Sequence, residues 1–113
     1  MGVSEPLIQA SILGEAVDHG PAAVFVADEE GRYVAANQAA CALLGYTREE
    51  LLELRVSDVT DTTGKWDEMR REGNVSGVST LTRKDGSTLE FRYVAGATSV
   101  AGMLLYVSVG TAA

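Results

Sequence analysis

The chain of 113 residues is poor in the residue types that form covalent cross-links and metal sites. Its one cysteine, Cys41, has no second thiol with which to form an internal disulfide. One cysteine and one histidine, His19, are too few for a zinc site built only from Cys and His ligands. A disulfide scaffold is therefore excluded and a zinc finger is disfavoured, and the sequence gives no indication of the redox compartment.

Long apolar runs and continuous basic stretches are also missing. The longest apolar stretches, such as 103–107, fall far short of the roughly 18 residues that cross a bilayer, and the N-terminus lacks a signal-peptide pattern. The net charge is -7, and the nine Lys and Arg residues are scattered except near 70–71 and 83–84. The sequence therefore predicts a cytoplasmic protein with no membrane segment and no direct nucleic-acid binding.

Hydrophobic residues make up 46% of the chain, which is enough to fill one core at this single-domain length. The first predicted element is an amphipathic helix over residues 5–17, because apolar side chains recur there with a helical period. The predicted apolar stripe of this helix contains Ile8, Ile12, Leu13, Ala16 and Val17.

The stretch DEEGRYVAAN at 28–37 indicates a hairpin that leads into a helix. β-rich residues 23–27 and 32–36 flank an acidic turn in which Gly31 can take the left-handed conformation. Asn37 suits the N-cap of the next helix and Gly45 its C-cap. Thr47 and Glu50 have the spacing of a capping box, which predicts another short helix.

The second half of the chain predicts two helical turns at 65–71 and then β-structure. The segment Lys84-Asp85-Gly86-Ser87 indicates a second antiparallel hairpin, and a further turn is predicted within 97–102. In the final strand, 103–109, both alternating sets of side chains are largely apolar. That pattern predicts a strand that is covered on both faces.

With these features the sequence resembles the PAS sensor domains from about Gly20 to Val109. The matching residues are Asp28 with Gly31, then Asn37, then the segments 45–47, 50–52 and 84–87. The resemblance implies an α+β fold with a five-stranded antiparallel sheet in the order 2-1-5-4-3 and short helices on one face. It divides the chain into an N-terminal flanking helix, 1–20, and a PAS sensor domain, 21–110. Glu53, where many members have glycine, and the compact stretch 57–64 depart from the family pattern.

Nothing in the sequence predicts catalysis, because no nucleophile, base and orienting partner occur together. The acidic residues at 28–30 are explained by turn chemistry more simply than by a metal site. His19 lies in a connector, which disfavours a role as haem ligand or general base. Cys41 lies among small residues without the Asn-Cys-Arg-Phe-Leu motif of the light-oxygen-voltage branch, so a photoactive flavin is disfavoured.

The candidate binding site is the interior between the sheet and the helices, which some members fill with haem, flavin or a metabolite and others with their own side chains. Apolar residues at helix and strand spacing pack as core first, and this favours the self-filled interior. Tyr93, Tyr106, Thr80 and Arg92 are candidate polar contacts for a ligand, and the Trp66 indole would need a partner if buried. The predicted lining consists of Val24, Val26, Leu43, Leu44, Leu52, Val56, Trp66, Met69, Leu89, Phe91, Tyr93 and Leu105.

Two functional hypotheses follow from the resemblance. The first is a sensory or input module of a larger bacterial signalling protein, such as a two-component histidine kinase or a transcription regulator, which takes a small apolar or mixed-polarity ligand. The alternative is a ligand-free dimerisation or protein-interaction module. In either case we expect a homodimer formed through the N-terminal helix and the outer face of the sheet, with an effector domain elsewhere in a longer parent chain.

Overall fold

The computed structural model describes residues 5–60 and 71–113 and has an α+β architecture. Five antiparallel strands form one sheet in the order β2-β1-β5-β4-β3, as the resemblance implied. Short helices pack on one face of this sheet. The elements are α1 (Pro6–Asp18), β1 (Ala23–Ala27), β2 (Tyr33–Ala36), α2 (Gln38–Leu44), α3 (Arg48–Leu51), α4 (Val56–Val59), β3 (Asn74–Thr82), β4 (Thr88–Val100) and β5 (Met103–Ala112).

The turn between β1 and β2 has the predicted geometry. Gly31 has a φ of +81°, a backbone conformation that a Cβ disfavours. The Asp28 carboxylate accepts hydrogen bonds from the backbone amides of Glu30 and Arg32, at 2.9 and 3.0 Å. The carboxylate therefore stabilises the turn itself.

The turn between β4 and β5 is tighter than the predicted turn within 97–102. β4 continues to Val100, and only Ala101 and Gly102 form the turn, with φ of 50° and 80°. Two successive residues with positive φ are typical of the two-residue turns whose twist matches antiparallel strands. Pairing with β5 continues as far as Val100 opposite Met103, so the strand includes most of the residues that were predicted as a turn.

Helix α2 is held at its C-terminal end by the loop between β3 and β4. Gly45 closes the helix in the left-handed conformation, as predicted. The backbone amide of Lys84 donates to the Leu44 carbonyl at 2.8 Å, and the Arg83 guanidinium donates to the Leu43 carbonyl at 3.2 Å. These two donors satisfy carbonyl groups that the last helical turn leaves unpaired.

The capping box at the start of α3 is also confirmed. The Thr47 hydroxyl accepts from the Glu50 amide, and the Glu50 carboxylate accepts from the Thr47 amide. The other oxygen of Glu50 contacts the Lys84 ammonium, and the Lys84 and Thr47 hydrogen bonds lower the pKa of this carboxyl. Glu50 thus ties α3 to the same loop that caps α2.

The helix α4 was not predicted, because Val56–Val59 contains too few apolar residues for a periodic signal. The Asp58 carboxylate accepts from the Arg55 amide at its N-terminus, and Val59 is buried. The predicted helix at 65–71 lies almost entirely outside the described residues.

Asn37 is the buried polar side chain of the core and contacts three elements. Its Oδ1 accepts from the Ala40 amide, which makes it the predicted N-cap of α2, and also from the Val24 amide of β1. Its Nδ2 donates to the carbonyls of Val17 in α1 and Ala22, at 2.7 and 2.8 Å. This one side chain therefore joins the end of α1, the start of β1 and the start of α2.

We expect Asn37→Ala to reduce the free energy of unfolding by about 2–3 kcal/mol, because it removes a helix cap and leaves buried amides and carbonyls unpaired. Urea unfolding measures this change. Gln38→Ala is the matched control, because Gln38 is the neighbouring amide and is exposed. Equal losses in the two variants would contradict the central position of Asn37.

Tyr33 should make the protein lose stability in alkaline solution. Burial, with a smaller contribution from the Asp58 carboxylate, raises the pKa of its phenol well above the ordinary value. The phenol would ionise near pH 10 in the unfolded chain but stay neutral in the folded chain. The contribution of the neutral phenol to the free energy of unfolding is therefore complete below about pH 10. Above that pH it falls by about 1.4 kcal/mol per pH unit.

Tyr33→Phe removes this ionisable group and tests the effect. The free energy of unfolding should fall less steeply above about pH 10 in the variant than in the wild type, when both are measured by urea unfolding. The same slope in both proteins would show that Tyr33 ionises alike in the folded and unfolded chains.

Candidate functional site

The interior between the sheet and the helices is the first candidate site. From β1, the buried residues Ala23, Phe25 and Ala27 face this interior because successive side chains of a strand alternate between faces. The helical side contributes the fully buried Leu44 and Leu51. A single core cluster connects the two layers, with further members Tyr33, Ala36, Ala40, Val59, Leu81, Leu89 and Phe91.

Aromatic rings contact one another at the centre of the described part of this interior. The ring of Phe25 lies edge-on to Phe91 with centroids 5.8 Å apart, and it is tilted against Tyr33 at 5.7 Å. Phe91 also stacks with Tyr93 at 6.2 Å. These are the separations that aromatic pairs prefer in protein cores. The rings therefore pack against one another.

Six residues of the predicted lining come together at this interior. Leu44, Leu89 and Phe91 are buried members of the core cluster, and Leu43, Val56 and Tyr93 are half-buried and pack against it. Their helix and strand positions follow from the elements that the sequence predicted, except that Val56 lies in α4.

The remaining predicted lining residues are placed differently. Val24 and Val26 alternate with Ala23, Phe25 and Ala27, so they lie on the opposite face of the sheet and correct the predicted set. The same alternation places Leu105, which is next to Tyr106, on that outer face, and Leu105 belongs to neither core cluster. Leu52 is exposed at the end of α3. Trp66 and Met69 lie outside the described residues.

Sequence reasoning missed several interior residues, of which Phe25 and Tyr33 are the largest. The signal that favours Phe25 over Val24 and Val26 is its size, because the only large aromatic side chain of β1 buries more area when it faces the core. Tyr33 is the first residue of β2, and its pairing with Ala27 across an irregular register sets its face. That irregularity has no sequence signal.

The predicted polar contacts do not form one group at the interior. Tyr93 packs against the core cluster there and also against a smaller cluster of the buried Tyr106 and Val75. Arg92 alternates with Tyr93 and lies on the outer face. The Thr80 hydroxyl donates to the exposed Glu90 carboxylate at 2.9 Å.

The single histidine and cysteine occupy ordinary structural positions. His19 is exposed and follows the last turn of α1, where its backbone amide donates to Glu15. Cys41 is half-buried in α2 and packs against the core. Burial raises the pKa of the Cys41 thiol, although the neighbouring Arg48 acts in the opposite direction. A thiol with a raised pKa is a poor nucleophile at neutral pH.

The outer face of the sheet is the second candidate site. Cross-strand pairing aligns Val24 with Val109 and Val94, and Val26 with Val107 and Gly96. Val94, Gly96, Thr98, Val107 and Val109 line a shallow open groove on this face, and Val94 is 60% exposed. β5 was predicted to be covered on both faces. Among its outer side chains, Leu105 is buried, whereas Val107 and Val109 are half-buried and Met103 is 56% exposed.

Helix α1 adds to the exposed apolar surface. Within Pro6–Asp18 no residue is buried, and the exposed fraction is 76% for Leu7 and 63% for Leu13. Leu7 is not part of the predicted stripe, so apolar surface extends to more than one side of the helix. Among the described helices, none has the length and apolar character needed to span a membrane.

Comparisons with known proteins agree with this architecture. A PAS domain of a two-component sensor histidine kinase superposes with a TM-score of 0.85 at 14% identity, covering 96% of this chain and 100% of that one. A PAS domain of an HTR-like protein from Haloarcula marismortui gives 0.79 at 20% identity, covering 93% and 92%. A domain of a sensory box sensor histidine kinase/response regulator from Geobacter sulfurreducens gives 0.76 at 21% identity, covering 95% and 98%.

These identities are low and support the fold alone. No curated protein matches the chain. The family model described as PAS domain, however, matches residues 21–101, which is well over half of the chain. The match begins at the connector after α1 and ends at the turn between β4 and β5. The chain therefore belongs to the PAS domain family.

Proposed function

We propose that the chain is a sensory or input module of a larger bacterial signalling protein and that it relays signals as a homodimer through α1 and the outer face of the sheet. Membership of the PAS family supports the signalling role. Two of the similar structures are described as domains of sensor histidine kinases, which supports an effector domain in a longer parent chain. The module has a binding role in this proposal and no catalytic one.

The observation that carries the proposal is the apolar, uncovered surface of α1. The helix has no charged residue before Glu15, and no residue of it is buried. A soluble monomer rarely exposes contiguous apolar surface of this kind, because its burial contributes roughly 25 cal/mol per Å². A partner surface for α1 is therefore expected.

The outer face of the sheet offers such a surface. The residues that line its groove, including Val94 and Val107, are uncharged, and Gly96 leaves a shallow depression between them. The exposed Arg92 lies beside Val94 on the same face. Residues 6–14 of the helix and the groove lining are uncharged, so these two surfaces can approach without desolvating unpaired ions. The two surfaces are thus complementary in chemistry.

The proposed partner that covers α1 and the groove is a second copy of this chain. Since each copy carries both a helix and a groove, a two-fold axis allows the same pair of contacts to form twice. Closed two-fold dimers are the commonest assemblies, and the symmetric arrangement covers both surfaces without leaving a free one.

We expect the wild-type chain to be a dimer at micromolar concentration and Leu13→Lys to be a monomer. Burial of Leu13 in the interface would contribute about 1–3 kcal/mol per copy, and the variant would bury an unpaired ammonium instead. Light scattering coupled to size exclusion, over a range of concentrations, measures the mass.

Gln9→Lys is the matched control, because it adds the same charge on the same helix at an exposed polar position. It should remain a dimer. A wild-type chain that is monomeric at high micromolar concentration would refute the dimer. A dimer that persists in both Leu13→Lys and a chain lacking residues 1–18 would place the interface elsewhere.

Binding of a small ligand in the interior is the second candidate function. The six lining residues that the structure brings together, with the phenol groups of Tyr33 and Tyr93, would suit a mostly apolar molecule with one or two polar groups. The contacts among Phe25, Tyr33 and Phe91 favour the ligand-free alternative, since the rings already contact one another at the described centre.

We therefore expect the purified protein to be colourless and to carry no stoichiometric small molecule. Native mass spectrometry, followed by mass spectrometry of the denatured protein, separates bound organic molecules from the chain. A stoichiometric ligand would instead establish the ligand-binding hypothesis. A Soret band or a flavin absorbance that bleaches in light would contradict the positions assigned to His19 and Cys41.

A further inference from the structure

The last turn of α1 is attached to the domain by two polar side chains from different elements. The Asn37 amide donates to the Val17 carbonyl at 2.7 Å. The Arg48 guanidinium donates from Nη2 to the Asp18 carboxylate at 2.6 Å. Val17 and Asp18 are the two final residues of the helix. Both attachments therefore act at the same end of α1.

Arg48 connects that end to the helical layer and the sheet at once. It is the first residue of α3, and its Nε donates to the carbonyl of Ala36 at the end of β2, at 3.0 Å. The same guanidinium acts to lower the pKa of the Cys41 thiol of α2. Leu51 is fully buried and anchors α3 in the core. Arg48 belongs to the same helix, so a displacement of α3 also moves its guanidinium.

The rest of α1 supplies no competing restraint from buried side chains. No residue of the helix is buried, so packing against the described residues restrains its direction only weakly. A hydrogen bond to one backbone carbonyl fixes a point of the helix, but a second contact one residue further on is needed to fix an angle. Asn37 supplies the point, and Arg48 supplies the second contact.

We propose that the Arg48–Asp18 ion pair is a positioning contact that sets the direction of α1 and passes displacements of α3 to it. The planar guanidinium holds Asp18 and Ala36 in a fixed relation, which a lysine ammonium would not do. The ion pair is partly open, with 44% and 35% of the two side chains exposed, so its geometry can change without unfolding the domain. The relay rests on the proposed function, whereas the positioning does not depend on dimerisation.

Pulsed electron resonance between spin labels at Ala10 and Thr88 tests this proposal. Ketone-bearing amino acids introduced at these exposed positions accept the labels and leave Cys41 intact. Dilution with unlabelled protein restricts the measurement to distances within one chain. We expect Asp18→Asn and Arg48→Ala each to widen the distance distribution roughly twofold, because no buried side chain of α1 replaces the lost restraint.

Several variants distinguish positioning from general disruption. Arg32→Ala removes another surface arginine that pairs with a carboxylate, Glu30 at 3.5 Å, and should leave the distribution unchanged. Arg48→Lys keeps the positive charge but loses the planar guanidinium that holds Asp18 and Ala36 in a fixed relation, so it should also widen the distribution. If Arg48→Ala unfolds, Asp18→Asn still keeps the contact between Arg48 and Ala36 and remains a valid test.

Wild-type width in both single variants would overturn the proposal, as would equal widening in Arg32→Ala. Light scattering on the same samples separates this result from the proposed function. If the chain is a monomer and the two variants still widen the distribution, only the dimer is refuted. If the chain is a dimer and the widths do not change, only the positioning role of Arg48 is refuted.

Discussion

The rest of the structure depends on the buried amide of Asn37. Its side chain makes four hydrogen bonds, and their partners belong to α1, to the connector before β1, to β1 and to α2. A buried donor or acceptor without a partner costs about 1–3 kcal/mol, so the four groups cannot separate independently. The amide therefore fixes where the flanking helix, the sheet and the helical layer meet. The far end of α2 is fixed in turn by Arg83 and Lys84, and the distance between the two layers is set by these two attachments.

Half of this arrangement could be predicted from the sequence, because its cause is local. An asparagine before a run of helix formers predicts an N-cap, Gly31 and Gly45 predict positions with positive φ, and Thr47 with Glu50 predicts a capping box; each of these was confirmed. The other half of the arrangement could not be predicted from the sequence. The partners of the Asn37 Nδ2 group are backbone carbonyls 20 and 15 residues away, and a carbonyl has no sequence signature. The helix α4 was missed for a related reason, since four residues are too few to establish a period.

For the candidate site, the sequence did not determine on which face of the sheet the side chains of some strands lie. In β1 and β5 both alternating sets are apolar, so a period of two predicts a strand but does not tell which set faces the core. Val24, Val26 and Leu105 were placed in the interior on hydrophobicity alone, and the structure has them on the outer face. In β4 the alternation of Leu89, Phe91 and Tyr93 with charged Glu90 and Arg92 removed the ambiguity, and the structure has these three side chains in the core cluster or packed against it. A strand with two apolar faces is informative in another sense, because it places apolar side chains such as Val107 and Val109 on the outer face of the sheet as well.

The two kinds of interaction on α1 have different physical roles. Hydrogen bonds and the ion pair at Val17 and Asp18 depend on direction, so they define an angle between the helix and the domain. Apolar contacts along Leu7 and Leu13 depend mainly on buried area, so they add affinity for a partner but do not impose a particular orientation. The directional contacts lie at the C-terminal end of α1, and the exposed apolar surface lies along the rest of the helix. A small rotation at the C-terminal end would therefore cause a larger displacement at the N-terminal end of the helix. A partner bound to the apolar surface would therefore experience a change in geometry while losing little contact area, which is the behaviour that a relay between an input domain and an effector requires.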